Sequence, residues 1–125
     1  RVRVVRREDS DSTLTVLRQM MPGWKDLAIT EKSKMATTTQ EAIETARAIA
    51  GAIAFGPYSA TLEPAVSVLK IDGHHPLDAA YPSSVELALI YKKATATPAA
   101  RAFIDYASGP KARAVITHLG SVPTI

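Results

Sequence analysis

The stretch Arg6-Arg7-Glu8-Asp9-Ser10-Asp11-Ser12-Thr13 joins an apolar, strand-like run to an amphipathic, helix-like run, and the fold is organised around this junction. A strand ends at Arg7, a turn of short oxygen-bearing side chains follows, and Ser12 or Thr13 opens a helix. The first N–H groups of a helix lack internal partners, so this junction is a candidate oxyanion site, to which Arg7 would add a charge-assisted bond. The alternative is that these are ordinary N-capping residues and that Arg7 is solvated.

Helix-like and strand-like segments alternate along the first half of the chain. Residues 2–6 are typical of a strand that is buried on at least one face, and an apolar helical stripe follows and ends at Pro22-Gly23. Thr38 and Glu41 form a capping box for a helix over residues 40–50. The stripe of the first helix consists of Leu14, Leu17 and Met21.

The second half continues the alternation. Gly51 is placed to end the second helix, and residues 52–55 are predicted to be a short, wholly buried strand. A further strand is predicted at residues 66–72, closed by the turn Asp72-Gly73. Two closing helices are predicted, one beginning at Thr97-Pro98 and one spanning residues 110–119 and capped by Gly120. Helix, glycine and apolar strand in this order predict an α/β fold.

Length and composition bound the function. The 125 residues suffice for one domain, and the absence of cysteine excludes disulfides and thiolate metal sites. No apolar run is long enough to span a membrane, and the amino end has no signal peptide. The sequence starts inside a strand and without methionine, so we interpret it as part of a longer protein.

The net charge of +3 does not indicate nucleic-acid binding. Four positive charges lie within the first seven residues, and the remaining chain is close to neutral. The aromatic residues are scattered, whereas a nucleic-acid surface combines a broad basic face with aromatic platforms or a reading helix. We therefore predict no nucleic-acid partner.

Three histidines invite a catalytic or metal-binding interpretation. His74 and His75 are adjacent and would point to opposite sides of an extended chain, and His118 is distant in sequence, so we predict no metal site. A hydrolase using Ser10 or Ser12 with one of these histidines is an alternative, but no G-x-S-x-G elbow is present. A stand-alone interaction module with an exposed apolar patch is another alternative.

The opening segment resembles a motif of the phosphate-type periplasmic substrate-binding proteins, in which hydrophobic residues lead into R-x-D-G-S-G-T. Arg7, Asp9 and Thr13 match the arginine, aspartate and threonine of that motif. Ser10, Asp11 and Ser12 stand where the family has Gly, Ser and Gly. The resemblance therefore implies an anion site with altered turn chemistry and one additional negative charge.

Later segments resemble the same family in the same order. Ala50-Gly51-Ala52-Ile53-Ala54-Phe55 is similar to P-G-A-I-G-Y, and residues 71–76 with Tyr81-Pro82 are similar to I-D-G-x-x-P followed by Y-P. The pair of closing helices resembles the ending A-F-x-D-F-x-x-S-P-x-G-Q, and Gly120-Ser121-Val122-Pro123 resembles G-Y-V-P. The resemblance covers nearly the whole chain.

The resemblance implies the type II periplasmic binding protein fold, in which two α/β lobes close over a ligand. Residues 1–125 would form a single domain, the second lobe, a three-layer arrangement of a central mixed sheet flanked by helices. It would include a return crossover strand at about residues 84–92 and closing helices at about 98–119. The missing first lobe would be its partner within the same protein.

The resemblance also implies a function. The chain would be the non-enzymatic, periplasmic or extracellular solute-binding component of an ABC-type uptake system, delivering a phosphate-like oxyanion to a membrane permease and needing no cofactor. The implied ligand-binding residues are Arg7, Asp9, Ser10, Asp11, Ser12 and Thr13. Arg7 would neutralise the anion, Asp9 would orient Arg7 or accept a proton from the ligand, and the hydroxyl-bearing residues would donate bonds. A ligand-sensing domain of a membrane receptor with the same fold is the alternative.

Overall fold

The computed structural model describes residues 1–124. This part of the chain contains short parallel strands and four α-helices, which confirms the predicted α/β class. The domain predicted for residues 1–125 is thus described as far as Thr124. The strands are β1 (Arg3–Val4), β2 (Arg6–Arg7), β3 (Met35–Ala36) and β4 (Ala52–Ile53). The helices are α1 (Ser12–Met20), α2 (Thr39–Ala48), α3 (Pro98–Ala107) and α4 (Pro110–His118), with 3₁₀ helices at Ala60–Leu62 and Lys93–Thr95.

The strands β1 and β2 belong to one extended segment that has a neighbour on each side. β1 pairs with β4, and β2 pairs with β3, both in parallel. The Val5 amide bonds to Ile53 O at 2.8 Å, whereas the next amide, of Arg6, bonds to Lys34 O at 2.9 Å. Because neighbouring amides of an extended chain point in opposite directions, this segment lies between β3 and β4. The connection through α1 therefore leads from the central segment to β3 on one side, and the connection through α2 leads from β3 to β4 on the other side.

The core around this central segment is small and made mostly of alanine. Val5 is 2 % exposed, and Ala36 and Ala42 are fully buried against it. Ala52 and Ala54 are partly buried and pack on the same cluster. Small side chains allow α2 to pack closely on β3 and β4.

The residues at both ends of α1 explain where the helix begins and ends. Asp11 is the N-cap and its side chain accepts a hydrogen bond from the Leu14 amide, so the helix opens at Ser12. Leu14 and Leu17 are the buried residues of the helix, as the apolar stripe predicts, whereas Met21, the third residue of that stripe, is the half-buried C-cap. The helix ends at Met20, one residue short of the Pro22-Gly23 pair, because proline cannot continue the hydrogen-bond ladder.

The predicted capping box of α2 is confirmed with one change of partner. Thr38 Oγ1 accepts the Glu41 amide at 3.1 Å. The Glu41 carboxylate turns back to the Thr37 amide at 2.8 Å and the Thr37 hydroxyl at 3.0 Å, one residue earlier than the motif predicts. The Thr37 backbone N–H, followed by the Thr37 hydroxyl, lowers the pKa of Glu41.

One strand prediction is wrong, and a second predicted strand is shorter than expected. Residues 66–72 contain no strand; Ile71 forms only an isolated antiparallel bridge with His74 across the predicted Asp72-Gly73 turn. Apolar β-branched sequence favours an extended chain, but a strand also needs a neighbouring backbone to pair with. The strand predicted at 52–55 shrinks to the two residues of β4, where Ile53 is 40 % exposed instead of wholly buried.

Residues 83–92, which contain the predicted crossover, form no helix or strand. Leu87 is 92 % exposed and Ile90 is 96 % exposed. Nor does a mixed sheet occur among residues 1–124, where both strand pairs are parallel and the bridge at residue 71 is isolated. The return crossover strand stays a prediction.

The closing helices begin and end as predicted. Thr97 caps α3 through its side chain, which accepts the Ala100 amide, and Pro98 occupies the first turn. Pro110 opens α4, and Gly120 follows its C-terminal end with φ of +88°. Gly120 approaches the 3₁₀ helix at Ala60–Leu62 closely, and the Ala60 amide donates a 2.9 Å bond to Leu119 O. The end of α4 is therefore attached to the loop that follows β4.

Candidate functional site

Arg7 lies at the carboxyl end of β2 and connects three elements. It is only 8 % exposed, and its guanidinium donates from Nε to Ala36 O at 3.1 Å and from Nη1 to Thr39 Oγ1 at 3.2 Å. The Nη2 atom pairs with Asp11 Oδ1 at 2.8 Å. These contacts reach β3, the first residue of α2 and the N-cap of α1, so one cation joins the N-termini of two helices.

Asp11 occupies the place where the sequence analysis expected an anion. Its side chain is 9 % exposed, with Oδ1 on the Arg7 guanidinium and Oδ2 accepting the Leu14 amide at 2.9 Å. A carboxylate in this position satisfies both the cation and one N-terminal amide of the helix. Asp9 was expected to orient Arg7 or to accept a proton from the ligand, but the carboxylate in contact with Arg7 is that of Asp11.

The other predicted site residues lie on the open side of the turn. The Asp9 side chain is 92 % exposed and approaches Arg18 at 3.5 Å, a surface contact of little energetic value. Ser10 and Ser12 are exposed and Thr13 is half-buried. Within residues 1–124 the hydroxyls of these three residues make no recorded side-chain hydrogen bond. The structure thus brings Arg7 and Asp11 into contact and leaves Ser10, Ser12 and Thr13 toward the surface.

Thr39 and the carbonyl of Ala36 are contacts of Arg7 that the sequence analysis missed. The sequence did indicate the position of Thr39, because the capping box at Thr38 places Thr39 in the first turn of α2. In parallel α/β sheets the carboxyl ends of neighbouring strands meet at one edge, where ligands bind when the chain connections diverge. Here β2 and β3 are neighbours, and the chain leaves each of them into a helix.

A cleft of about 450 Å³ lies elsewhere, at the amino ends of β1 and β3. It is lined by Arg1, Arg3, Lys32 and Lys34, and none of the predicted ligand-binding residues contributes to it. The oxyanion site predicted at Arg7 therefore lies outside this cleft.

His74 and His75 each lie close to a carboxylate. His75 Nε2 is 2.7 Å from Glu63 Oε1, and His75 Nδ1 accepts the Leu77 amide at 3.2 Å, so both ring nitrogens have partners. His74 Nδ1 lies 3.9 Å from Asp78 Oδ2. No recorded hydrogen bond in residues 1–124 joins a serine hydroxyl to a histidine. The activation that a serine nucleophile needs is absent from this part of the chain.

Residues 1–124 contain neither a candidate metal-binding cluster nor a candidate membrane-spanning helix. In the described part of the chain no group of three or more His, Asp or Glu residues is arranged to hold a metal ion. No helix there has both the length and the apolar character needed to cross a bilayer.

Comparison with known proteins gave one finding. A family model described as "Bacterial extracellular solute-binding protein" matches residues 7–121, from the buried arginine to the residue after Gly120. Neither the search of curated proteins nor the search of solved structures returned a match. The matched range contains the turn at Arg7, all four helices and both 3₁₀ helices.

Proposed function

Because the chain belongs to the bacterial extracellular solute-binding protein family, we propose that it is the solute-recognition component of an ABC-type uptake system. Members of this family generally bind solutes without transforming them, and they act outside the cytoplasmic membrane. The proposed ligand carries a phosphate-like oxyanion, which binds at the turn between β2 and α1. The proposed partner is the membrane permease that receives the ligand.

The observation that carries the proposed site is the buried position of Arg7 between two helix N-termini. The first turns of α1 and α2 both follow the carboxyl ends of paired strands, and their unpaired amides favour negative charge. Arg7 adds a full positive charge that is largely removed from water, where electrostatic attraction is stronger. These features together favour an anionic group at this edge of the sheet.

The position of Asp11 supports the same proposal, because the chain already holds a carboxylate on the Arg7 guanidinium and the Leu14 amide. An incoming oxyanion would share or take over these donors. Ser12 and Thr13 would contribute their backbone N–H groups and Ser10, Ser12 and Thr13 their hydroxyls. Asp9 would accept a proton from a protonated ligand. The oxyanion competes with Asp11, so Asp11 limits affinity for it.

We further propose that the ligand binds between two lobes and that this chain supplies the second. Support comes from the apolar side chains that are exposed on residues 83–92 and on the closing helices, since monomeric proteins rarely leave such an area uncovered. A first lobe packing on this area would cover it and would pair the backbone of residues 83–92. The exposed apolar residues are Val85, Leu87, Leu89, Ile90, Phe103, Tyr106, Val115 and Leu119.

Calorimetric titration of the chain, expressed with its natural flanking sequence, tests the proposed function. The panel is phosphate, sulfate, molybdate, a phosphonate and small carboxylates, and we expect one of them to bind with a Kd of about 1 μM or below. Thr13→Ala should weaken this binding about tenfold, for the loss of one bond to a charged ligand. Thr15→Ala is the matched control, because the Thr15 hydroxyl bonds to Asp11 O on the exposed side of the same helix.

Two outcomes would contradict the proposal. A folded protein that binds no member of the panel would exclude an oxyanion ligand of these classes. Binding that is equally insensitive to Thr13→Ala and Thr15→Ala would locate the ligand away from the first turn of α1.

A further inference from the structure

A second cluster of polar side chains joins the loop after β4 to the turn that follows the Ile71–His74 bridge. The Glu63 Oε1 atom accepts the Tyr58 hydroxyl at 3.1 Å and lies 2.7 Å from His75 Nε2. The Tyr58 and His75 rings pack edge to face with centroids 5.0 Å apart. The Glu63–His75 contact connects residues that are 12 positions apart in the chain, so the cluster fixes the turn against the 3₁₀ helix at Ala60–Leu62.

The hydrogen bonds of His75 require one protonation state. A neutral imidazole has one donor and one acceptor nitrogen, whereas a protonated imidazole has two donors. His75 Nδ1 accepts the Leu77 amide, so the ring proton must lie on Nε2, where it is donated to Glu63. The structure thus uses both nitrogens of a neutral His75 ring.

Protonation would change one of these bonds and keep the other. A proton on Nδ1 would face the Leu77 N–H, and two donors cannot share a hydrogen bond. On Nε2 the bond to Glu63 would become an ion pair, and the pKa of Glu63 is already lowered, first by its bond with His75 and then by the Tyr58 hydroxyl. Protonation would therefore break the hydrogen bond between His75 Nδ1 and the Leu77 amide and keep the bond between His75 Nε2 and Glu63.

Two further titratable groups, Asp78 and His74, lie in the same turn. Asp78 Oδ2 accepts the His75 amide at 2.8 Å, and the Asp78 amide donates to His75 O at 2.9 Å. His74 Nδ1 lies 3.9 Å from the same Asp78 carboxylate. The Asp78 carboxylate would therefore also attract a protonated His75 ring.

We propose that His75 is a proton-operated latch: the neutral ring closes the turn at residues 75–78 through its bond to the Leu77 amide, and protonation opens this turn while the bond to Glu63 is kept. The Ala60 amide binds the 3₁₀ helix to Leu119 O, so the Glu63–His75 and Ala60–Leu119 bonds join residues 58–63, 71–78 and the end of α4 in both states. Opening loosens the turn from which the chain continues to the exposed segment 83–92.

Nuclear magnetic resonance of the protein with its natural flanking sequence tests the latch. Histidine changes charge between about pH 5 and 8, so the His75 ring nitrogens and the Leu77 amide are followed over this range. We expect the Nε2–H form at the upper end. As the ring gains its proton, exchange protection of the Leu77 amide, relative to the intrinsic rate at each pH, should fall about fivefold.

The variants His75→Gln and His74→Gln form a matched pair. His75→Gln should abolish the change in Leu77 protection, and His74→Gln should preserve it. Leu77 protection that stays constant while the His75 ring titrates would overturn the latch, as would a pH response that survives in His75→Gln. A response lost in His74→Gln but kept in His75→Gln would assign the titration to the wrong ring and overturn it equally.

Discussion

Arg7→Ala is expected to lower the free energy of unfolding by about 3–5 kcal/mol, the cost of removing one partner from a buried ion pair. The side chains of Arg7 and Asp11 are 6 % and 9 % exposed, so water would solvate the abandoned carboxylate poorly. The change also removes the bonds to Ala36 O and Thr39 Oγ1, which join β3 and α2 to the central segment. Urea unfolding followed by circular dichroism measures the effect.

A double-mutant cycle separates the ion pair from the lost packing. Arg7→Met keeps much of the apolar volume, and Asp11→Asn keeps an N-cap of nearly equal quality. The double variant should be more stable than the sum of the two single losses predicts, because it leaves no unpaired charge. A loss below about 1 kcal/mol in Arg7→Ala would mean that the pair behaves as a solvated surface pair, contrary to the buried geometry.

Gly120→Ala is expected to cost about 2–5 kcal/mol, because it combines backbone strain of about 1–2 kcal/mol with overpacking of about 1–3 kcal/mol. Gly120 has φ of +88°, and a Cβ there would lie 2.5 Å from the Ala60 amide nitrogen and 3.1 Å from the Ser59 carbonyl carbon. Both are backbone atoms, so relief requires the loop after β4 to move. Thermal unfolding measures the loss.

Gly73→Ala is the matched control for this prediction. Gly73 has φ of +82°, but a Cβ there meets no atom within 4 Å. Only the backbone strain applies, so we expect a loss of about 1–2 kcal/mol. Equal losses at the two glycines would show that Gly120 does not hold the end of α4 close to the loop.

The helices were predictable from the sequence because their signals are local. A cap side chain, a proline in the first turn or a glycine at the end acts within four residues, so Thr38, Thr97 and Gly120 are each sufficient to mark an end. A strand needs a second strand to pair with, and the local sequence does not indicate which segment that is. Residues 66–72 have strand-like composition, yet among residues 1–124 they have only the isolated bridge at Ile71.

The turn at Arg7 was predictable in its location, but its side-chain contacts were not. The motif at Arg7 identified the turn and the start of α1, because both depend on neighbouring residues. The bond from Arg7 to Thr39 joins residues 32 positions apart, and it depends on how β2 and β3 pair. Asp11 was assigned to the ligand from the sequence alone, but its place as N-cap brings its carboxylate to Arg7. The Glu63–His75 contact was missed for the same reason, since no local pattern links the two residues.

The most direct measurement of the central claim, that an oxyanion binds where Asp11 now contacts Arg7, compares the wild type with Asp11→Ser and Asp11→Asn by calorimetric titration. Both substitutions retain an N-cap for α1 and remove the competing negative charge. We expect oxyanion affinity to rise about tenfold or more in both, since a bond to a charged group contributes about 1.5–3 kcal/mol. Affinity that is unchanged or weaker in both folded variants, or no binding by any of the three proteins, would contradict the claim.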